Sequence, residues 1–467
     1  MKILKGGENV TFAATFAAFQ PSLGNRYVKS MKSFDEVQAE RKRRLPTIST
    51  RLSNGEIVEL AYRQKEQKTS LVIWNGKDWK TVDSVTEKEH RLIPYSAKNN
   101  LIQHKVILLP DEPEEYGTTG NLYIDIKAFL HRYVDISPVF EDIATSYILL
   151  SWVYDQFDEL PYLRFRGDPG SGKTRCLLAI GSICYKPIFT SGASTVSPVF
   201  RLLDTVKGTL ILDEGDFRLS DEKAEIIKIL NNGNAKGFPV LRSELVNKHE
   251  FDPKAYYVFG PKVLATRGYF QDRALETRCL TEEMGQRRMR ADIPLNLPEA
   301  FTDESYALRN KLLLYRFRYL SGNLKRTQNL ATTVENRKLE PRMKQLLAPL
   351  LFVTPLEQVR ETILKFAEGY QRELLVDKGT DIEAQVIEIL SELAEQNLKI
   401  ISVKYLTDQF VDRFAHDYER KITPKWIGSI VRKKIGLKTY KTQGNFVIPQ
   451  KELSKLEYLK EKYGINL

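Results

Sequence analysis

At 467 residues, with 42% hydrophobic and 28% charged residues, the chain has the composition of a soluble globular protein with room for roughly two to four domains. Its net charge of +11 points to a polyanionic partner, nucleic acid before membrane, and no stretch is long enough to be a transmembrane helix, so no membrane role is expected. The three cysteines, Cys176, Cys184 and Cys279, contain no C-x-x-C pair, which argues against a zinc site and for a reducing, cytoplasmic setting.

Residues 1 to about 45 are mixed in character. The apolar run at 10–19 imitates a secretory leader, but it is short, holds two threonines and follows Glu8, so none is expected. The segment ends in Arg41-Lys42-Arg43-Arg44, a charge run expected to be solvated. From about 46 to 110 the pattern is β-rich: residues 57–62 and 70–74 are strands, and Asn75-Gly76 is a hairpin turn before the strand at 78–82. Residues 1–110 are expected to form an N-terminal domain whose role the sequence does not reveal. Residues 111–160 carry apolar positions at helical spacing and form a helical collar leading into the next unit, at 160–375.

That unit opens on a strand at 162–166, then Gly167-Asp168-Pro169-Gly170-Ser171-Gly172-Lys173-Thr174, then an apolar helix. The spacing G-x-x-x-x-G-K-T between strand and helix is that of a phosphate-binding loop. Glycines let the backbone N–H groups turn toward an anion, and the helix adds the positive end of its dipole. Lys173 is placed to reach the β- and γ-phosphates, and the Thr174 hydroxyl to ligate Mg²⁺. About 40 residues on, the apolar strand 209–212 ends in Asp213-Glu214, where Asp213 would hold the Mg²⁺ and Glu214 would polarise the attacking water. Together the two motifs predict hydrolysis of ATP or GTP. Two extended runs, 238–242 and 255–259, flank the polar stretch 247–250 and predict an inserted β hairpin. The next core strand ends at Thr266, a candidate sensor of the γ-phosphate.

The segment 380–467 is expected to be a separate domain, with the order helix, strand, helix, helix, wing of a winged helix. Thr423 caps its third helix with Pro424 at the first position. From Thr423 to Pro449 there are six cations, Lys425, Arg432, Lys433, Lys434, Lys438 and Lys441, and no acid. Lys425 and Arg432 are seven apart and so share a helix face, while Lys438 and Lys441 belong to the approach to the wing and its first strand. An unopposed basic face of this kind predicts contact with duplex DNA phosphates.

The series of phosphate loop, acidic strand tip, N-G-N-x-x-G at 232–237, hairpin, G-P-K-x-x-A-T at 260–266 and A-L-x-x-R-C at 274–279 resembles an AAA+ ATPase. Within that class the chain resembles superfamily-three and MCM-like replicative helicases of phages, plasmids and genomic islands. The resemblance covers about 115–360 and the C-terminal domain. It implies an α/β P-loop core with a helical lid, ATP and Mg²⁺ as ligands, and a homo-oligomeric ring, usually a hexamer, around single-stranded DNA. It further implies Arg278 as an arginine finger acting on a neighbour's ATP, with Arg273 as a competing candidate, and Arg342 as a lid sensor. Lys248 and His249 at the hairpin tip would grip the strand. The strand-end sensor, often Asn in this class, is here Thr266. The expected activity is that of an ATP-driven DNA helicase or translocase in replication of a mobile element. The alternative is a DNA-binding ATPase switch, an initiator, loader or defence regulator, without unwinding.

Overall fold

The computed structural model describes residues 44–467 apart from 193, 214–220, 248–249, 271, 287, 323–333, 336, 380–381, 397–399, 416–417, 419–420, 443, 464 and 466–467. Glu214, Lys248 and His249 therefore lie outside the described residues.

Five parallel strands form the central sheet, in the spatial order Cys279–Glu283, Tyr162–Arg166, Lys262–Thr266, Leu210–Asp213, Ile188–Ser191. Strands buried on both faces must be apolar or internally paired. Tyr162–Arg166 is buried throughout, so its two arginines need partners. Arg164 forms a salt bridge with Glu276 and donates to Thr281 Oγ1 at 3.0 Å, while Arg166 pairs with Glu283. Because the strands are parallel, every carboxyl end lies along one edge, where α/β sheets build their sites.

Helix Pro138–Val153 is buried along nearly its whole length. Ser137 caps it by accepting from the Phe140 N–H, and Pro138 fits the first turn, where its missing N–H is not needed. A helix apolar all round belongs inside a core, and each fully buried Ile or Leu contributes about 1.5–3 kcal/mol. It packs against helices Thr119–Tyr133, Glu299–Leu320, Pro341–Val353 and Glu357–Gly379.

The β-rich segment has a four-stranded antiparallel sheet, Ser49–Arg51, Ile57–Arg63, Lys68–Trp74 and Trp79–Val82. The Asn75-Gly76 turn forms as expected: Asn75 Oδ1 accepts from the N–H groups of Lys77 and Asp78, at 2.9 and 2.8 Å. The sheet does not have a core of its own. Ile57, Ala61, Val72 and Trp74 join the core around helix Pro138–Val153, while Val58, Leu60, Leu71 and Ile73 join the core beneath strand Leu210–Asp213. Trp74 stacks on Phe317 with ring centres 5.6 Å apart.

The hairpin pairs Val240–Asn247 with Glu250–Tyr256, antiparallel, and comes in sequence between helix Asp221–Asn232 and strand Lys262–Thr266. The C-terminal segment has its own core. It runs helix Ile382–Glu395, strand Ile400–Ser402, helix Val403–Phe414, helix Pro424–Ile430, then strands Tyr440–Thr442 and Asn445–Pro449, which form a three-stranded antiparallel sheet. Thr423 accepts from the Trp426 N–H, the expected cap. The third helix does not run as a plain α-helix to Gly436. Residues Val431–Ile435 form a π turn, closed by Gly436 at φ 83°.

Candidate active site

The loop 167–172 joins strand Tyr162–Arg166 to helix Lys173–Ile183. Its glycines are required by geometry. Gly167 has φ 158°, and a Cβ there would stand 2.6 Å from the Met284 carbonyl oxygen. Gly172, at φ 92°, takes the N-cap place without a capping side chain, which leaves the first N–H groups of the helix for a ligand. Lys173 folds over the loop and donates to the carbonyls of Gly167 and Asp168 at 2.6 and 2.7 Å.

Asp213 ends strand Leu210–Asp213, two strands from the loop, and accepts from Thr174 Oγ1 at 2.8 Å. A hydroxyl and one carboxylate side by side form a hard-oxygen donor set. It fits Mg²⁺, which binds through one or two protein oxygens and the substrate's phosphates rather than through an all-protein cage.

Thr266 ends the strand between these two. Its carbonyl accepts from the Gly167 N–H at 3.2 Å, and its side chain is 1% exposed. Thr266 Oγ1 is buried with no hydrogen-bond partner among the described residues. An orphaned buried hydroxyl costs stability unless a ligand meets it, and Thr266 is among the residues that line one cavity, of about 370 Å³, with Gly172, Lys173, Thr174 and Asp213. The loop, Lys173, Thr174, Asp213 and Thr266 are thus brought together at the carboxyl edge of the sheet.

Arg278 and Arg342 are not brought there. Arg278 immediately precedes strand Cys279–Glu283, and its carbonyl accepts from the N–H of Tyr162, at the start of the loop strand. The five residues of that strand separate it from Gly167, roughly 16 Å at about 3.3 Å per residue. The guanidinium donates to Asn234 Oδ1 at 2.7 Å and Asn231 Oδ1 at 2.6 Å. Burial, and then the nearby Arg342, hold it below its ordinary range. Arg342 starts helix Pro341–Val353 and reaches the Ala274 carbonyl at 3.5 Å. The two arginines form a pair at the amino edge of the sheet, and neither lines the phosphate-loop cavity of its own chain. Arg273, the competing finger, opens the short helix Arg273–Glu276.

In the C-terminal segment Lys425, Arg432, Lys433, Lys434, Lys438 and Lys441 are all exposed, while Ile427, Ile430 and Val431 are buried. Arg432 donates to Thr439 Oγ1 at 3.2 Å and lies 4.9 Å from the centre of the Phe446 ring, which ties it to the two-stranded tip. Lys434 is turned to Glu383 at 3.5 Å, and Glu452 accepts from the Lys438 N–H at 3.0 Å, so the face is not without acids nearby.

Sequence reasoning missed Arg175 and Arg267. Arg267 lines the loop cavity, and Arg175 lines a second cavity beside it. Adjacency to Thr174 and Thr266 was the only available signal, and it carries no chemistry of its own.

No protein-family model matches the chain, and no curated protein matches it. Similar solved structures include the apo C-terminal region of NrS-1, at 12% identity over 84% of this chain and 96% of that one, TM-score 0.36. SCCmec type IV Cch, described as an active helicase, matches at 12% identity over 88% and 96%, TM-score 0.33. JCV helicase matches at 15% over 53% and 60%, TM-score 0.23. At such scores the likeness fixes neither activity nor residue roles, and the geometry of the site has to carry them.

Proposed function

We propose that the chain is a Mg²⁺-dependent ATPase that assembles into a ring, usually of six copies, and moves or unwinds DNA. The observation that carries this reading is the Thr174–Asp213 contact at 2.8 Å, beside a glycine loop with Lys173 folded over it. Helix and loop N–H groups would hold the phosphates, and Lys173 would offset charge on the β- and γ-oxygens. Mg²⁺, held by Thr174 and Asp213, would supply further charge neutralisation. Glu214 follows Asp213 in sequence and is the residue proposed to take the proton of the attacking water. Thr266 would donate its hydroxyl to the γ-phosphate.

Arg278 lies too far from its own loop to serve it, so we assign it to the nucleotide of an adjacent copy, with Arg342 beside it. The C-terminal segment, read as a winged helix, would bind duplex DNA through Lys425, Arg432, Lys433, Lys438 and Lys441. The hairpin would meet single-stranded DNA, with Lys248 and His249 at its tip.

The test is steady-state ATP turnover with and without single-stranded DNA at two salt concentrations, with Lys173→Ala as the blank. DNA should stimulate turnover, and salt should weaken the stimulation, because phosphate contacts release counterions. Full activity in Lys173→Ala would remove the site assignment. Turnover indifferent to DNA at every salt would remove the motor.

A further inference from the structure

A second cavity, of about 1330 Å³, adjoins the phosphate loop and shares Gly170, Gly172 and Arg267 with the smaller one. Of these two cavities Asp213 and Thr266 line the smaller, which is thereby the phosphate and cation side. One wall of the larger cavity is the 288–295 segment, which contributes Met289, Ile293, Pro294 and Leu295. Met289 is 62% exposed and Leu295 86% exposed, apolar side chains left largely uncovered by the described residues.

This wall has no regular structure of its own, so something must hold it against the loop. Two arginines do so. Successive side chains on a helix are turned by about 100°, so Arg175, one residue after Thr174, faces the larger cavity instead of Asp213. Its guanidinium donates to the Pro294 carbonyl at 3.0 Å and the Leu295 carbonyl at 2.6 Å. At the other end the Arg290 N–H donates to Asp135 Oδ2 at 2.9 Å, and its guanidinium is bonded to His131. Arg175 reaches no carboxylate among the described salt bridges, so its fork is given to two backbone carbonyls. A planar fork of this shape fixes two acceptors in one rigid geometry, whereas an ammonium carries its donors on a rotatable point charge.

We propose that the 288–295 segment is the nucleoside-side wall of the nucleotide site, and that Arg175 is a positioning residue that holds it in place. The inference rests on the phosphate-loop reading. A nucleoside is the chemistry this cavity suits, because a flat, mostly apolar base covers Met289 and Leu295 while its phosphates continue into the loop. The triphosphate end does not touch the wall. Arg175 therefore acts on the affinity for a nucleotide and not on the affinity for its phosphates alone.

The test is equilibrium binding of MgATP and of magnesium tripolyphosphate to the full chain, wild type against Arg175→Ala, Arg175→Lys and Met289→Ser. Met289 is exposed, so Met289→Ser serves if Arg175→Ala fails to fold. Arg175→Ala should weaken MgATP about tenfold and leave tripolyphosphate unchanged, since each charge-assisted bond it loses is among the stronger kind. Arg175→Lys should recover part of the loss, and Met289→Ser should weaken MgATP alone. Equal loss of both ligands in Arg175→Ala would mean that Arg175 shapes the phosphate loop, and would overturn the wall. So would unchanged MgATP affinity in both Arg175→Ala and Met289→Ser. Wild type that binds neither ligand would overturn the phosphate-loop reading itself, a result distinct from either.

Discussion

Two side chains at the centre of the sheet separate stability from activity. Thr266 has a buried hydroxyl with no partner among the described residues, at the edge of the phosphate cavity. Thr266→Val removes that hydroxyl and keeps the shape. It should leave the thermal midpoint unchanged or slightly higher, because an unmet polar atom is lost. ATP turnover should fall by about two to three orders of magnitude if the hydroxyl meets the γ-phosphate, as removal of a single positioned donor does elsewhere. Unchanged turnover would free Thr266 of that role. Lys262, four residues earlier on the same strand, is fully buried and donates to the carbonyls of Gly233, Val258 and Gly260 at 2.9, 3.0 and 2.9 Å. No carboxylate faces it among the described salt bridges, and burial pushes its ammonium down to about 7 despite the carbonyls. Its folded value then lies below its unfolded value, near 10.5, and the unfolded chain binds the extra proton between them. Stability should therefore rise with pH from about 7 to 10.5, by on the order of a few kcal/mol. Lys262→Met should lose that rise, so the difference between the two denaturation curves across pH isolates this one group. A difference that stays flat across the window would show that the three carbonyls keep the ammonium charged.

At the scale of elements, a buried charged cluster joins the N-terminal sheet to the nucleotide core. Glu59, on strand Ile57–Arg63, is 1% exposed. It pairs with Lys186 at 2.8 Å and with Arg316 at 2.8 Å, and accepts from the Tyr185 hydroxyl at 2.8 Å. Glu59→Gln leaves two buried cations short of an anion. The cost should be about 3 kcal/mol, the low end for a broken buried pair. Arg316 keeps Asp155 at 2.8 Å, and Lys186, which burial pushes down to about 8, can release its proton. Because the contact spans both units, denaturation should remain one transition, shifted as a whole. Two transitions, with only the β signal shifted, would make the sheet an independent module. The strands themselves were legible from Asn75-Gly76 and the apolar alternation around it. Their shared core was not, because alternation shows which face is apolar but not what covers it, and here both faces are covered. The same limit applies to Arg164 and Arg166, whose place inside a buried strand depends on Glu276 and Glu283, more than 100 residues away. The turn between strand Tyr162–Arg166 and helix Lys173–Ile183 was legible, since its signal is local: glycines, a lysine and a threonine within eight residues.

Across the whole molecule, the two edges of the sheet carry different groups. Lys173, Thr174, Asp213 and Thr266 gather at the carboxyl edge, and Arg278 and Arg342 at the amino edge, with the length of a strand between them. One chain cannot bring both ends to one phosphate without breaking the sheet. A copy that presents its amino edge to a neighbour's carboxyl edge can, and repetition of such a head-to-tail contact closes into a ring when the rotation allows. Arg278 is now satisfied by Asn231 and Asn234, so engaging a phosphate would mean trading two neutral acceptors for a charged one, a favourable exchange. Arg278→Ala should then keep ATP binding and lose most turnover. Glu214→Gln should also lose turnover, by a defect in the opposite half of the site. Mixed in one solution, some neighbours would pair the intact loop of an Arg278→Ala copy with the intact arginine of a Glu214→Gln copy. Turnover should reappear, highest near equal proportions, although neither variant is active alone. If no ratio restores it, the pair of arginines serves the fold and not a neighbour, and the ring loses its main physical reason.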